Sequence, residues 1–332
     1  MKRFFFTSTL WRIGLLAAAC SASACTKTLK PVGHIDISQN TISVGLITPD
    51  ILLLGSLTQG TTAHTHNLEQ PSYLWRTATP NSPITALAYT PAKHQALTAS
   101  GNNLIIWDTR TGQSLHYLSA PATINAIAIN PAGTRALLGL DNHQAQVLNL
   151  EVGGIVQTLT HSSPVLSVAF NKQFMLTGEE ANKAHLWQLG HKVPIATHIH
   201  NDGVTKVGFS PDGRYAITAS RYDETQLLAL KNPKKITLVH SIPLRAMALK
   251  AGKRLVDFYF INHTQVLWAY SDHTVEQYDI QQYRTLATWS TAKKQSLGKG
   301  NSAVVALGQF QKKWWVLHSN GTLFELGKPQ LH

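Results

Sequence analysis

The side chains with the most evident chemical capacity are histidines, of which there are sixteen. His64 and His66 stand two residues apart, as do His198 and His200, and on a strand such a pair projects from one face. Two imidazoles on one face are half of a zinc site, which needs further His, Cys or carboxylate ligands. No spacing in the chain supplies them, and both cysteines, Cys20 and Cys25, stand near the N-terminus. The expectation is therefore solvated or seam-packed histidines, with no metal and no other cofactor. A different chemistry would be hydrolysis at the mouth of a polar channel, where Asn81, Asn201, Asp202 and Asn301 would gather. One acid among amides is a poor general-base or metal set, and no nucleophile elbow, phosphate-binding glycine loop or paired carboxylate motif is present. The residues thus point away from an enzyme and from a small-molecule substrate, with a hydrolase built around Asp202 as the alternative.

The elements that would position these side chains repeat along the chain. Residues 161–189, HSSPVLSVAFNKQFMLTGEEANKAHLWQL, hold the fullest copy: VLSVAF alternates as a half-buried strand does, and FMLT and HLWQL are two more short strands set off by turn residues. Copies of the first strand begin at 42, 84, 124, 165 and 204, a register of about 40 residues, and looser copies begin near 255 and 303. The turn after this strand recurs as TPD, TPA, NPAG and SPDG, in which Pro fixes φ and Gly or Asp accepts the tight geometry. The last copy has only three strands, and PVGHIDIS (31–38) is the expected fourth, supplied from the other end of the chain so that no sheet edge stays open.

These residues resemble the WD-repeat family of seven-bladed β-propellers over 31–332. The resemblance implies an all-β fold of seven four-stranded antiparallel blades, the ring closed by an N-terminal strand in the last blade. The family's Trp-Asp dipeptide stands intact as Trp107-Asp108, while Trp187 is followed by Gln188. The family's histidine ahead of the inner strand matches His161 and His200. Carried onto the fourth unit, the family's hydrogen-bonded set is His161, Thr177 and Trp187, with Glu180 near the place of the family's acid. A structural role is expected for all of these, because buried indole and imidazole groups need partners.

The formal charge of +12 is concentrated in the last third of the chain. Two linkers there, PLRAMALKAGKR (243–254) and TAKKQSLGKGN (291–301), are longer than the repeat requires. They carry Arg245, Lys250, Lys253, Arg254, Lys293, Lys294 and Lys299 and no acid. Both join an outer strand to the next inner strand, so in a propeller they leave one face from neighbouring blades and set up a positive field. The expected partner is anionic: an acidic protein segment, or the charged groups of lipid or envelope polymer. Solvated loops that serve only solubility are the plainer option.

At the N-terminus, MKRFFFTSTLWR followed by IGLLAAACSASA has the order of an export signal. The uncharged run Ile13 to Ala24 is shorter than the ~20 residues of a membrane-spanning helix. Ala22-Ser23-Ala24-Cys25 resembles the lipobox of bacterial lipoproteins, which implies lipidation of Cys25 and a membrane anchor. Ala17-Ala18-Ala19-Cys20 is a competing site that would leave Cys25 an unpaired thiol in an oxidising compartment, and an ordinary cleaved signal is the third option. In a Gram-negative envelope, Thr26 rather than Asp after the cysteine implies the outer membrane, facing the periplasm. The expected division is a signal peptide over 1–24, a lipid-anchored tether over 25–30 and one propeller domain over 31–332. Export excludes nucleic acid as a partner.

Overall fold

Strands that bury both faces but stop after six or so residues must find cover on each side from another strand group. In this chain that cover is another copy of the same unit. The computed structural model describes residues 28–58, 60–64, 68, 75–76, 83–222, 224–232, 235–242, 253–291 and 302–328. Its regular structure is entirely β: seven antiparallel four-stranded blades in a propeller ring. Blade 4 shows the pattern, with an inner strand Val165–Asn171, a second Phe174–Glu179, a third Lys183–Gln188 and an outer strand Ala196–Ile199. The other inner strands are Ile42–Ile47, Ala86–Thr90, Ile124–Ile129, Val204–Phe209, Leu255–Phe260 and Val304–Phe310, within two residues of the starts read from the repeat.

The apolar core lies between the blades. Each of seven buried clusters is shared by two neighbours, from Leu97 and Leu138 between blades 2 and 3 to Leu54 and Leu317 between blades 1 and 7. Six inner strands carry a bulge immediately after their first paired residue. The side chain at this second position, and that of Thr85 just ahead of the unbulged inner strand of blade 2, can reach the next blade. Ser43 Oγ donates to the Ile84 carbonyl at 2.7 Å, Thr85 Oγ1 to the Ile124 carbonyl at 2.8 Å, and Asn125 Nδ2 to the Val165 carbonyl at 3.3 Å. Further round, the Lys206 ammonium is 2.7 Å from Asp257 Oδ1, while Asp257 Oδ2 accepts the Leu307 N–H at 2.9 Å, so one carboxylate ties blades 5, 6 and 7. At the last seam the backbones come close enough that a Cβ on Gly308 would collide with the Ile47 carbonyl.

Blade 7 is completed by Gly33–Asp36, antiparallel to Thr322–Leu326, as the sequence led one to expect for 31–38. Thr322 Oγ1 donates to Asp36 Oδ1 at 2.6 Å, the Ile37 N–H donates to the Gly321 carbonyl at 2.9 Å, and Ile37 is buried. One pairing was not foreseen. Thr28–Leu29, inside the segment read as a tether, adds a fifth, parallel strand to blade 6 against Thr288 and Trp289. The N-terminal strap therefore covers the outer edges of two adjacent blades. Deleting residues 31–38 removes the closing strand and the buried Ile37, whose burial alone is worth about 1.5–3 kcal/mol. A clear fall in Tm by calorimetry is expected, and an unchanged Tm would show that the ring holds without this strand.

Candidate functional site

Among the described residues, blade 4 builds the most complete polar cluster from two strands and a linker. His161 enters from the linker after the outer strand of blade 3, its N–H bound to the His143 carbonyl. Thr177 lies on the second strand with no exposure, and Trp187 stands on the third with its ring 5.2 Å from that of His161. His161 Nδ1 is 3.2 Å from the Leu159 carbonyl, which can only accept, so Nδ1 carries the proton. Nε2 therefore accepts from the Thr177 hydroxyl at 2.8 Å, and that hydroxyl accepts the Trp187 indole N–H at 2.9 Å. Every polar atom of the trio is paired with the imidazole neutral. Burial is the main reason the His161 pKa falls to about 4, helped by nearby His185 and opposed by Glu179.

The acid beside this trio is Glu179, where the sequence placed Glu180. Strand alternation explains the difference, since Glu179 is two residues from Thr177 and shares its face, whereas Glu180 falls in the turn. The Glu179 side chain is fully buried; it accepts the Ser162 N–H at 3.0 Å and the Ser162 hydroxyl at 2.7 Å. Burial pushes its pKa up, but the Ser162 hydrogen bonds, with the nearby His185 and His161 imidazoles, outweigh this and hold it below the ordinary value. It does not bond His161; its nearest imidazole is His185, with Nε2 at 3.6 Å. Glu180 is half exposed and lies 3.9 Å from Arg221.

Other blades keep parts of the set. In blade 2, Trp107 Nε1 donates to Thr98 Oγ1 at 2.9 Å. Asp108 instead caps the next turn through the Arg110 N–H and guanidinium, and the Arg110 hydrogen bond lowers its pKa. In blade 5, His200 Nε2 is 2.8 Å from Thr218 Oγ1, and Leu228 occupies the register position that Trp187 holds in blade 4. His198 and His200 do come together, rings 5.3 Å apart and edge to face, but His198 bonds Gln226 while His200 bonds Thr218. Among the described residues no three His, Cys, Asp or Glu side chains could hold a metal ion. Asp202 Oδ1 accepts the N–H of the adjacent Gly203 at 2.6 Å. His66, Asn81 and Asn301 lie outside the described residues.

Of the basic side chains read as a partner surface, Arg245, Lys250, Lys293, Lys294 and Lys299 lie outside the described residues, as does Cys25. Lys253 is drawn inward: its ammonium is 2.7 Å from Glu276 Oε1 and 3.9 Å from the centroid of the Tyr270 ring. Arg254 is exposed. The described ends of the two basic linkers meet at one turn of blade 6. The Ser271 N–H donates to the Arg254 carbonyl at 2.8 Å, and the Thr291 N–H donates to the His273 carbonyl at 2.9 Å. Sequence reasoning missed the seam donors Ser43, Thr85 and Asn125, although a small polar residue at the second position of ISV, ITA and INA was the signal.

A seven-bladed propeller with a histidine–threonine–tryptophan joint defines the class of molecule. The family described as "WD domain, G-beta repeat" matches residues 192–225, the outer strand of blade 4 and the first half of blade 5. The chain is 23% identical over 170 residues to eukaryotic translation initiation factor 3 subunit I of Anopheles gambiae, covering 44% of this chain and 52% of that protein. It is 27% identical over 122 residues to protein groucho of Drosophila melanogaster, covering 36% of this chain and 17% of that one. The chain thus spans about half, or less, of the length of the curated relatives it matches. The β-propeller domain of Cps50 (Swd1) from Myceliophteria thermophila superposes with a TM-score of 0.73 at 12% identity, over 90% of this chain and all of that domain, a likeness of fold.

Thr177→Val would leave two buried partners, the Trp187 N–H and His161 Nε2, without a hydrogen bond at about 1–3 kcal/mol each. It should therefore lower the urea midpoint more than Thr98→Val, which strands only the Trp107 N–H.

Stability should also depend on pH through His161. Its folded pKa of about 4 lies below the ordinary 6.5. Between these values the unfolded chain takes up a proton that the folded chain does not, so stability falls as pH drops from roughly 6.5 towards roughly 4, by order of 3 kcal/mol. Urea unfolding at several pH values should show this slope, and His161→Gln should lose a large part of it.

Proposed function

We propose that the protein is a non-catalytic lipoprotein of the cell envelope whose propeller is a scaffold for a protein partner, held at the membrane through Cys25. The observation that carries the scaffold reading is the meeting of both basic linkers at the Ser271–His273 turn. One described end of each acid-free linker is hydrogen-bonded to this turn, and a negatively charged protein segment is the partner that basic segments tied to one place select. The WD-repeat match and the propeller likeness support protein interaction as the use of this fold, although folds of this kind carry many functions. Support for the envelope comes from the export signal and the Cys25 lipobox. A diacyl chain on Cys25 would hold the protein firmly, since each buried CH2 contributes about 0.8 kcal/mol. In a Gram-negative cell the Thr26 rule assigns the outer membrane, with the propeller in the periplasm.

Cross-linking in intact envelopes tests both halves of this reading. The wild-type chain should fractionate with membranes and capture an acidic protein. Cys25→Ser should leave the membrane fraction. Reversal of Lys250, Arg254, Lys293 and Lys294 to Glu should keep membrane retention and lose the captured protein. Lys253 is left intact because its reversal would break the internal pair with Glu276. Membrane retention of Cys25→Ser would sink the lipid anchor, and unchanged capture by the reversed chain would sink the scaffold surface.

A further inference from the structure

The strap that covers blades 6 and 7 has more than a closing role. Thr28 and Leu29 are fixed on the outer edge of blade 6, and the Val32 N–H is fixed to the Glu325 carbonyl of blade 7 at 2.8 Å. Between these points the chain crosses from one blade to the other and borders a groove of about 500 Å³ lined by Leu29, Pro31, Val32, His34, Ser290 and Phe324. Leu29 is 39% exposed and Val32 is 70% exposed, and both stand next to the exposed Lys30. Lys328 is exposed as well and follows Gly327, whose Cβ position lies 3.6 Å from Val32 Cγ2. Apolar side chains flanked by ammonium groups on long stems are the composition that suits a headgroup layer, with the stems lying along apolar surface and the charges facing anionic lipid.

We propose that this strap is a membrane-contacting surface, and that the propeller sits on the bilayer by the outer rim of blades 6 and 7. The proposal rests on the reading of Cys25 as the lipidated residue. Two residues, Thr26 and Lys27, stand between Cys25 and Thr28, so three Cα steps span at most about 11 Å at full extension. Each headgroup layer is about 6 Å deep. Acyl chains on Cys25 therefore leave Thr28 little room to stand off the lipid, and because Thr28 is held in a sheet the rim follows it. Other parts of the surface also expose apolar groups, among them Ile155 and Val156 on the outer strand of blade 3. Blade 3 is across the ring from blades 6 and 7, beyond the reach of so short a connection. In this seating the central axis lies roughly along the membrane plane, and both faces of the ring remain open.

The test tethers the chain chemically, so that its outcome does not depend on lipidation in cells. The chain from Cys25 onward contains every described strand of the ring and a single thiol. It is coupled through Cys25 to maleimide lipid in vesicles of phosphatidylethanolamine and phosphatidylglycerol, and its lysines are acylated with a water-soluble reagent read by mass spectrometry. Lys30 and Lys328 should lose reactivity relative to the same chain free in solution, while Lys172 and Lys192, exposed on turns of blade 4, should keep theirs. The loss should shrink on phosphatidylcholine vesicles and in the Val32→Glu variant. Equal reactivity of all four lysines, or loss at Lys172 and Lys192, would overturn the proposal. So would a loss at Lys30 and Lys328 that vanishes when few copies are coupled per vesicle, since the occupant would then be a second copy of the chain. Failure of Cys25→Ser to leave the cell membrane fraction, by contrast, bears on the anchor and leaves this measurement interpretable.

Discussion

Closure of the ring is the constraint on which everything else rests. No blade has a core of its own, since each of the seven buried clusters is divided between neighbours. Opening any seam therefore exposes half the core of two blades. The contact that prevents this at the chain ends joins Asp36 to Thr322, 286 residues apart. The entropy of closing so long a loop grows only with the logarithm of its length, so the equilibrium cost is bearable. In folding, non-local pairing of this kind is slow, and a strap that grips blade 6 as well as blade 7 adds a second purchase on the same event.

Within that frame the repeats can diverge without harm, and the distribution of the His–Thr–Trp joint shows how. Blade 4 keeps all three, blade 2 keeps Thr98 with Trp107, and blade 5 keeps His200 with Thr218. Where the tryptophan is gone, Leu228 fills the space and brings no N–H that needs a partner. Loss of a donor together with its demand is close to neutral, while loss of only one of two partners is costly. The joint is thus a local reinforcement of some blades, and the closed ring is what all of them share.

Much of this was legible in the residues. Strand alternation and the Pro-containing turns placed the inner strands within two residues, and the missing fourth strand of the last copy pointed to the segment containing Gly33–Asp36. The joint was readable too, down to Thr177, but Glu179 was mistaken for Glu180 because a spacing borrowed from a family was used where the period of two on the strand itself gave the answer. The parallel pairing of Thr28 and Leu29 had no sequence signal. Two residues are too few for a pattern, and parallel pairing carries no hairpin turn to announce it. Lys253 was read as free because linker length and charge say nothing of Glu276 and Tyr270, which its fold brings within reach.

Among the described residues, the departures from the four-stranded repeat are gathered on blades 6 and 7, and this has an electrostatic consequence. The strap lies along their outer rim, and the described ends of both basic linkers are hydrogen-bonded to the Ser271–His273 turn of blade 6. On the proposed seating, the described linker ends at Arg254 and Thr291 belong to a blade whose rim would meet lipid. Anionic headgroups and an acidic partner would then compete for the same lysines over distances of about one Debye length, ~8 Å at physiological salt. A partner that wins must supply directional contacts to the ring as well as charge. Among the described residues beside the linkers, the exposed Arg254 offers such contacts through the planar, forked donor set that fits carboxylates better than a lysine does.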